Sequence, residues 1–189
     1  SYPLRRLKKH NLSIRTLPIL HIQTEEVAPD DHPLMDMVYY YMEDTLNARD
    51  MFVQVKSLDP YITLDQEALA SELAFNAGAY LESPRLLFAK DTTVLGYPAL
   101  WLRLKLVAGV GVEDQLLFFH GPYFYYIWHE TGTDEERWKE LWASIQPLQS
   151  FPPDYWQQDK KSELVKDLGS LDPRTRRLAM RSLDRSMLT

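Results

Sequence analysis

Histidines are the residues best placed to do chemistry in this 189-residue sequence, which has five of them and no cysteine. They are His10, His21, His32, His120 and His129. A helical zinc motif needs two of them four residues apart on one face, and no pair has that spacing. His120 and His129 bracket HGPYFYYIWHE, the most aromatic stretch of the chain, but strand parity sends them to opposite faces. The lack of cysteine removes disulfides, thiolate metal sites, iron–sulfur clusters and cysteine nucleophiles together. The expectation is a chain with no metal, no cofactor and no catalytic residue.

The remaining candidates point the same way. There is no G-x-S-x-G elbow, Walker loop or H-E-x-x-H. Gly109-Val110-Gly111 lacks the third glycine and the following helix of a phosphate-binding loop, so it reads as a hairpin turn. Asp30-Asp31-His32 has the residue types for acid–base or metal work, but between Pro29 and Pro33 it reads as an exposed loop. Glu25-Glu26 falls at a strand end, and Glu135-Glu136 in the first turn of a helix, where acids complement the helix dipole.

The rings of residues 123–130 leave two readings open. Parity puts Phe124, Tyr126 and Trp128 on one face and Tyr123, Tyr125, Ile127 and His129 on the other. Either helices cover both faces, with hydroxyls and indole N–H groups reaching polar partners at the margins, or one face stays open as an aromatic patch or cleft. In the second case Trp101, Tyr123, Tyr125 and His129 are the candidate ligand- or partner-binding residues, with Tyr39 and Tyr41 on nearby strands.

The elements that must position these residues follow from period and punctuation. Alternation marks Met37–Met42 and Met51–Val55 as a hairpin, preceded by an extended stretch, LSIRTLPILHIQT, that Pro18 splits or holds at an edge. A capping box at Thr63-x-x-Gln66 predicts a helix over 64–80. RLLFAK, a turn around Gly96-Tyr97-Pro98, ALWLRLKLV, QLLFFH and YFYYIWHE predict a meander, with AGVGVED as a connection. Thr133-x-x-Glu136 caps a second helix with Trp138, Leu141, Trp142 and Ile145 on one face, which Pro147 should end or kink. Residues 160–189 read as two short helices broken at Gly169-Ser170, with Asp172 as N-cap and Pro173 at the first position. The fold class is therefore α+β: an antiparallel β-sheet with packed α-helices plus a C-terminal helical hairpin.

Charge divides the chain into the same pieces. Arg5, Arg6, Lys8, Lys9 and Arg15 with no acid make 1–15 a +5 block, and eight basic residues against five acids make 159–189 +3. Against a total of -6, residues 16–158 carry -14. An acidic body with basic ends excludes nucleic acid as the main partner. Residues 1–15 read as a solvated basic arm, 16–153 as the α+β domain, and 154–189 as the helical hairpin. No apolar run approaches the ~20 residues of a membrane helix. The start at Ser1 rather than Met leaves a removed targeting segment or anchor open, with an extracytoplasmic location favoured over a cytoplasmic one.

The body, over about 12–151, resembles the PsbP-like superfamily. The resemblance is carried by the long helix after VQVKSLDP, the turn LGYPALWLRLKL, the strand YFYYIW, and a closing helix ending in LQSF. It implies an antiparallel sheet with packed helices and a binding or assembly role without catalysis, and it transfers no functional residue. The tail LVKDLGSLDPRTRRLAMRSL resembles a HEAT repeat through Asp172, Pro173, Arg176, Arg177, Ala179 and Leu183, with Thr175 in place of the usual aliphatic residue. A lone repeat cannot cover its own apolar stripe. The natural chain therefore either continues past Thr189 into an array, the reading favoured here, or the hairpin docks on the body. The expected function is a non-catalytic protein-binding or scaffolding module. The rivals are a carrier of a small apolar ligand or metal, and a secretion chaperone for apolar helices.

Overall fold

The computed structural model describes residues 2–28, 30, 31 and 33–187. Its elements in chain order are β1 (Leu4–Leu7), β2 (Leu12–Arg15), β3 (Ile19–Glu25), β4 (Leu34–Asp44), β5 (Arg49–Leu58), α1 (Gln66–Leu81), β6 (Leu86–Val94), β7 (Tyr97–Lys105), β8 (Val112–His120), β9 (Tyr123–Gly132), α2 (Glu135–Ala143), β10 (Gln146–Pro147), α3 (Lys161–Leu168) and α4 (Pro173–Ser186). Seven strands form one sheet in the order β3-β4-β5-β9-β8-β7-β6, and β1-β2-β10 form a small second sheet. Every pairing is antiparallel. The α+β class is thus observed, with the aromatic strand β9 in the middle of the large sheet.

The two faces of that sheet carry separate cores. On one, Val38, Tyr40, Met42, Met51, Val53, Val55, Leu116, Phe118, Tyr125 and Ile127 pack against Leu7, Leu12, Ile14 and Leu17 from the small sheet and its exit, and against Trp138 and Leu141 of α2. On the other, Leu100, Leu102, Leu104, Leu117, Phe119, Phe124 and Tyr126 pack against Leu69, Leu73 and Ala77 of α1 and against Trp156. The parity of residues 124 to 129 is as the sequence predicts.

Several local expectations need correction. The first fifteen residues are not a solvated arm: β1 pairs with β2 and β2 with β10, and Leu12 and Ile14 are fully buried, so the apolar residues between the charges decide. The cap of α1 is Asp65, whose carboxylate accepts from the Ala68 N–H at 2.8 Å, rather than Thr63. The cap of α2 is Asp134 rather than Thr133, and α2 stops at Ala143, before Pro147, which lies in β10. The β6–β7 turn is Leu95-Gly96, both at positive φ, so Tyr97 already pairs with Val94. β8 starts at Val112, taking Glu113 and Asp114 into the sheet because Arg85, just before β6, and Arg103 of β7 neutralise them. Gly111 remains a turn residue at φ +117, where a Cβ would meet the Gly132 backbone at 2.2 Å.

The described contacts show the tail docked on the body. Asp59 accepts from Ser182 Oγ, the Arg181 and Arg185 guanidinium groups donate to the Met35 and Leu34 carbonyls, and Tyr61 donates to Asp167 at 2.8 Å. Thr189 lies outside the described residues. The segment before α3 is woven into the body too: Trp156 is fully buried in the α1-side core, and Lys160 Nζ donates to the Ile62 carbonyl at 3.0 Å. A boundary at 153/154 therefore falls inside a packed region. Trp156→Ala should destabilise the protein by about 3–5 kcal/mol, read from urea unfolding of the full chain. A loss below about 1 kcal/mol would mean that residues 154–158 are a loose linker.

Candidate binding surface

The four residues singled out from sequence sit on the α2 side of the sheet, but they do not form one open cleft. Tyr125 is buried and donates its hydroxyl to the His10 carbonyl at 2.6 Å, beneath the segment expected to be an arm. Tyr123 is half-buried beside it, edge-on to His10 at 6.4 Å. His129 is fully buried, its ring stacked on Trp138 of α2 at 6.1 Å. Only Trp101 reaches a surface recess. It meets Trp142 at 5.2 Å and Phe88 at 4.9 Å, and with Trp138, Lys90, Thr92 and Lys139 it lines a cavity of about 360 Å³. The tyrosines that sequence reasoning grouped with these, Tyr39 and Tyr41, lie on the opposite face.

A buried polar chain anchors this side. Arg103 donates to Asp114 through Nε at 2.9 Å and Nη2 at 3.2 Å, and to Glu135 at 2.9 Å. Trp101 Nε1 donates to Asp114 at 2.8 Å, and the Thr131 hydroxyl donates to the same carboxylate at 2.6 Å. Having given its one proton to Asp114, Thr131 accepts from His129 Nδ1 at 3.1 Å. The order of proton donation is the reverse of what a nucleophile needs, since the hydroxyl points at the carboxylate and not at the imidazole. His129, Thr131 and Asp114 are all fully buried, so the triplet holds β8, β9 and α2 together.

Burial, reinforced by the Arg49 and Arg137 charges, pushes His129 down to about 4, and burial pushes His120 down to about 4 as well. A histidine kept neutral by folding is protonated only in the unfolded chain over that interval. Its stabilising contribution is therefore complete above the ordinary value near 6.5 and is lost as pH falls towards 4. The unfolding midpoint in urea should drop between pH 6.5 and 4, with His129 accounting for roughly 3 kcal/mol of the loss. The profile of His129→Gln should be flatter by about that amount; superimposable profiles would contradict the assignment.

Other histidines are placed singly. His10 is buried against Tyr40 and Asp36, and His21 lies 3.8 Å from Glu43. His32 is outside the described residues. No group of three or more His, Asp or Glu among the described residues is arranged to hold a metal ion.

The open surface lies on the α1 side of the sheet. Helix α1 packs on β6, β7 and β8 and meets β5 only at its far end, where Lys56 Nζ donates to Asn76 at 2.8 Å, leaving Tyr41 of β4 exposed and Tyr39, Phe52 and Trp128 half-buried. Register then aligns a row of rings across three strands, since Tyr41 pairs with Phe52 and Phe52 with Trp128. Phe52 and Trp128 stack at 5.5 Å with 13° between planes, Tyr39 and Tyr41 at 5.7 Å with 15°, and Tyr41 meets Phe52 at 6.1 Å. Gln54, directly opposite Tyr39 on the same face, donates Nε2 to the Tyr39 hydroxyl at 2.7 Å and holds that ring in place. Phe52 packs on Tyr126, which in turn touches Tyr80 of α1 at 6.3 Å. Tyr41 is 41% exposed, whereas Tyr125 on the other face is 1% exposed, so the open aromatic face is this one.

Acids border the platform. Glu43 lies directly opposite Asp50, and the Asp50 N–H donates to Glu130 Oε2 at 3.0 Å, giving three carboxylates in line across β4, β5 and β9. Burial, followed by the charges of Asp50 and Glu113, raises the Glu130 pKa above the usual carboxylate value. The register of the β4–β5 hairpin carries the signal for the Tyr41–Phe52 pair, whereas the pairing of Phe52 with Trp128 joins strands distant in sequence. Which half of the sheet α1 covers is a tertiary fact that no local pattern encodes.

No protein-family model matches this chain, and no curated protein matches it either.

Proposed function

We propose that this protein is a non-catalytic protein-binding module, and that a partner docks on the open half-face formed by Tyr39, Tyr41, Phe52 and Trp128. The observation that carries this reading is the contrast between the two faces of one sheet. The small sheet and α2 bury the rings of β9 on one face, while the other face keeps Tyr41 exposed and the stacked Tyr39, Phe52 and Trp128 half-buried. Rings already fixed by each other lose little freedom on binding, and Tyr and Trp dominate the energetics of protein interfaces. The PsbP-like resemblance of the body, with its binding or assembly role, and the HEAT-like resemblance of the tail agree with it. So does the outer side of the α3–α4 pair, where Val165, Leu171, Met180 and Met187 are exposed.

Placing a photo-crosslinking phenylalanine analogue at position 41 should capture a discrete protein from the native extract, whereas the same analogue at exposed Val107 should not. Tyr41→Ser combined with Trp128→Ser should weaken binding of that protein at least ten-fold with the fold retained. Equal capture from both positions would remove the basis for the reading.

A second reading, carriage of a small apolar ligand, is favoured by the tryptophan-lined recess beside Trp101, Trp138 and Trp142. With indole as probe, it calls for a raised Tm in the parent protein and none in Trp142→Ala. An unchanged Tm in both would count against it.

A further inference from the structure

We infer that β3 is the receiving edge for an extended, basic strand of a partner protein, added as an eighth strand of the large sheet with cationic side chains lying across Tyr39 and Tyr41. This deepens the binding reading above and rests on it. The first ground is the difference between the two edges of the sheet. Natural sheets blunt their edges with charge, proline or bulges. The edge strand β6 is blunted in this way, with a register shift between Leu86 and Phe88 and the charges of Lys90 and Asp91 in mid-strand. β3 is not: its seven residues pair with β4 in unbroken register, and Ile19–Glu25 contains no Lys, Arg or Pro. All but Leu20 are exposed, and among the described residues no backbone group of β3 bonds to anything beyond β4.

The second ground is what flanks that edge. His21 and Gln23 pair with Tyr41 and Tyr39, so they share the platform face, and Glu25 follows at the end of the same row. Glu43, Asp50 and Glu130 close the platform at the other end. Among the described residues Glu25, Glu26, Asp50 and Glu130 form no ion pair, and Glu43 has only His21 at 3.8 Å. Like charges directly opposite each other, as Glu43 and Asp50 are, oppose sheet pairing unless a cation joins them. The nearby cations have other hydrogen-bond partners: Arg49 donates to the Thr131 carbonyl at 3.0 Å, Lys56 to Asn76 at 2.8 Å, and Arg5 to Thr16 and the Pro18 carbonyl. Rings bordered by unpaired carboxylates are a surface for Arg or Lys, which gain both the ring quadrupole and the charge.

The third ground is the other face of the same edge. Leu20 and Ile22 pair with Met42 and Tyr40 and point to the α2 side, and Ile22 is 62% exposed. Because side chains alternate, a strand laid on β3 meets Ile19, His21, Gln23 and Glu25 with every second residue, the Tyr39 and Tyr41 rings lying one strand beyond them, and Leu20, Ile22 and Thr24 with the others. The partner segment is therefore an alternation of basic and apolar residues, about seven long to match β3.

The test uses the full chain and three fluorescein-labelled peptides: alternating Arg and Val, the same composition scrambled into Arg and Val blocks, and alternating Glu and Val. The expected result is saturable binding of the alternating basic peptide, at least ten-fold tighter than either control. Amide hydrogen exchange should slow at residues 19–25 on binding. Glu43→Lys with Asp50→Lys, and separately Ile22→Lys, should each weaken binding at least ten-fold, with circular dichroism and Tm showing that the variants fold. Binding without protection of 19–25, equal binding of the scrambled or acidic peptide, or no effect of Ile22→Lys would overturn the inference. So would protection of 19–25 that depends on protein concentration alone, because the edge would then pair with a second copy. If crosslinking at position 41 still captures a protein in any of these cases, the platform stands and only the basic strand falls. If that crosslink fails while the peptide behaves as described, the strand site stands without the platform.

Discussion

The placement of β9 at the middle of the sheet, with large rings on both of its faces, sets what every other element must do. A strand that presents Phe124 and Tyr126 to one side and Tyr125, Ile127 and His129 to the other cannot leave either side to water without exposing a large apolar area. Two independent covers are therefore required. Helix α1 and Trp156 supply one, and the small sheet with α2 supplies the other. The covers are not equally wide: the second reaches across the β4-β5 half, while α1 meets β5 only at its Lys56 end. The partly exposed aromatic platform is the consequence of that mismatch.

The buried ionic chain serves the same arrangement. Asp114 is fully buried in β8, and removing two charges from water is costly unless each remaining lone pair is met. Arg103, Trp101 and Thr131 meet them, and through Thr131 and Glu135 the chain reaches His129 in β9 and the first turn of α2. Such a network specifies how α2 sits on the sheet. It also explains why Trp101, which has a ring on the surface and its N–H inside, is held in one orientation at the mouth of the tryptophan recess.

Much of this was legible in the sequence where a single period governs. Alternation over Met37–Met42, Met51–Val55 and 123–130 gave the strands and the right partition of side chains between faces. Gly169-Ser170 and Asp172-Pro173 gave the break and the cap of the last two helices. What was not legible depends on distant partners. The +5 segment looks solvated until Leu12 and Ile14 are seen to lie under α2 and beside β10, more than a hundred residues on. Glu113 and Asp114 look like loop residues until Arg85 and Arg103 come alongside. Asp65 and Thr63 are both good cap residues, and only the backbone decides between them. The candidate site divides in the same manner. Trp101 does reach a surface recess and Tyr123 is half-buried, but Tyr125 and His129 are structural. The Tyr41–Phe52 pair follows from hairpin register, but its extension to Trp128 needs the distant β5–β9 pairing, and its openness is set by where α1 ends its coverage.

The docking of α4 has a bearing on how the molecule is made. Asp59 and Leu34, at one end of the hairpin that carries the platform, are held by Ser182 and Arg185, 123 and 151 residues later in the chain. Asn11 likewise waits for Gln149, 138 residues on. During synthesis on the ribosome the strands appear early and their clasps last, so the aromatic hairpin and its unblunted edge are completed while both remain unfastened. Contacts of such long sequence separation form slowly. The nascent chain thus displays its most adhesive surface before the residues that secure it have left the exit tunnel, a period in which a waiting partner or a folding helper would have the greatest effect on its fate.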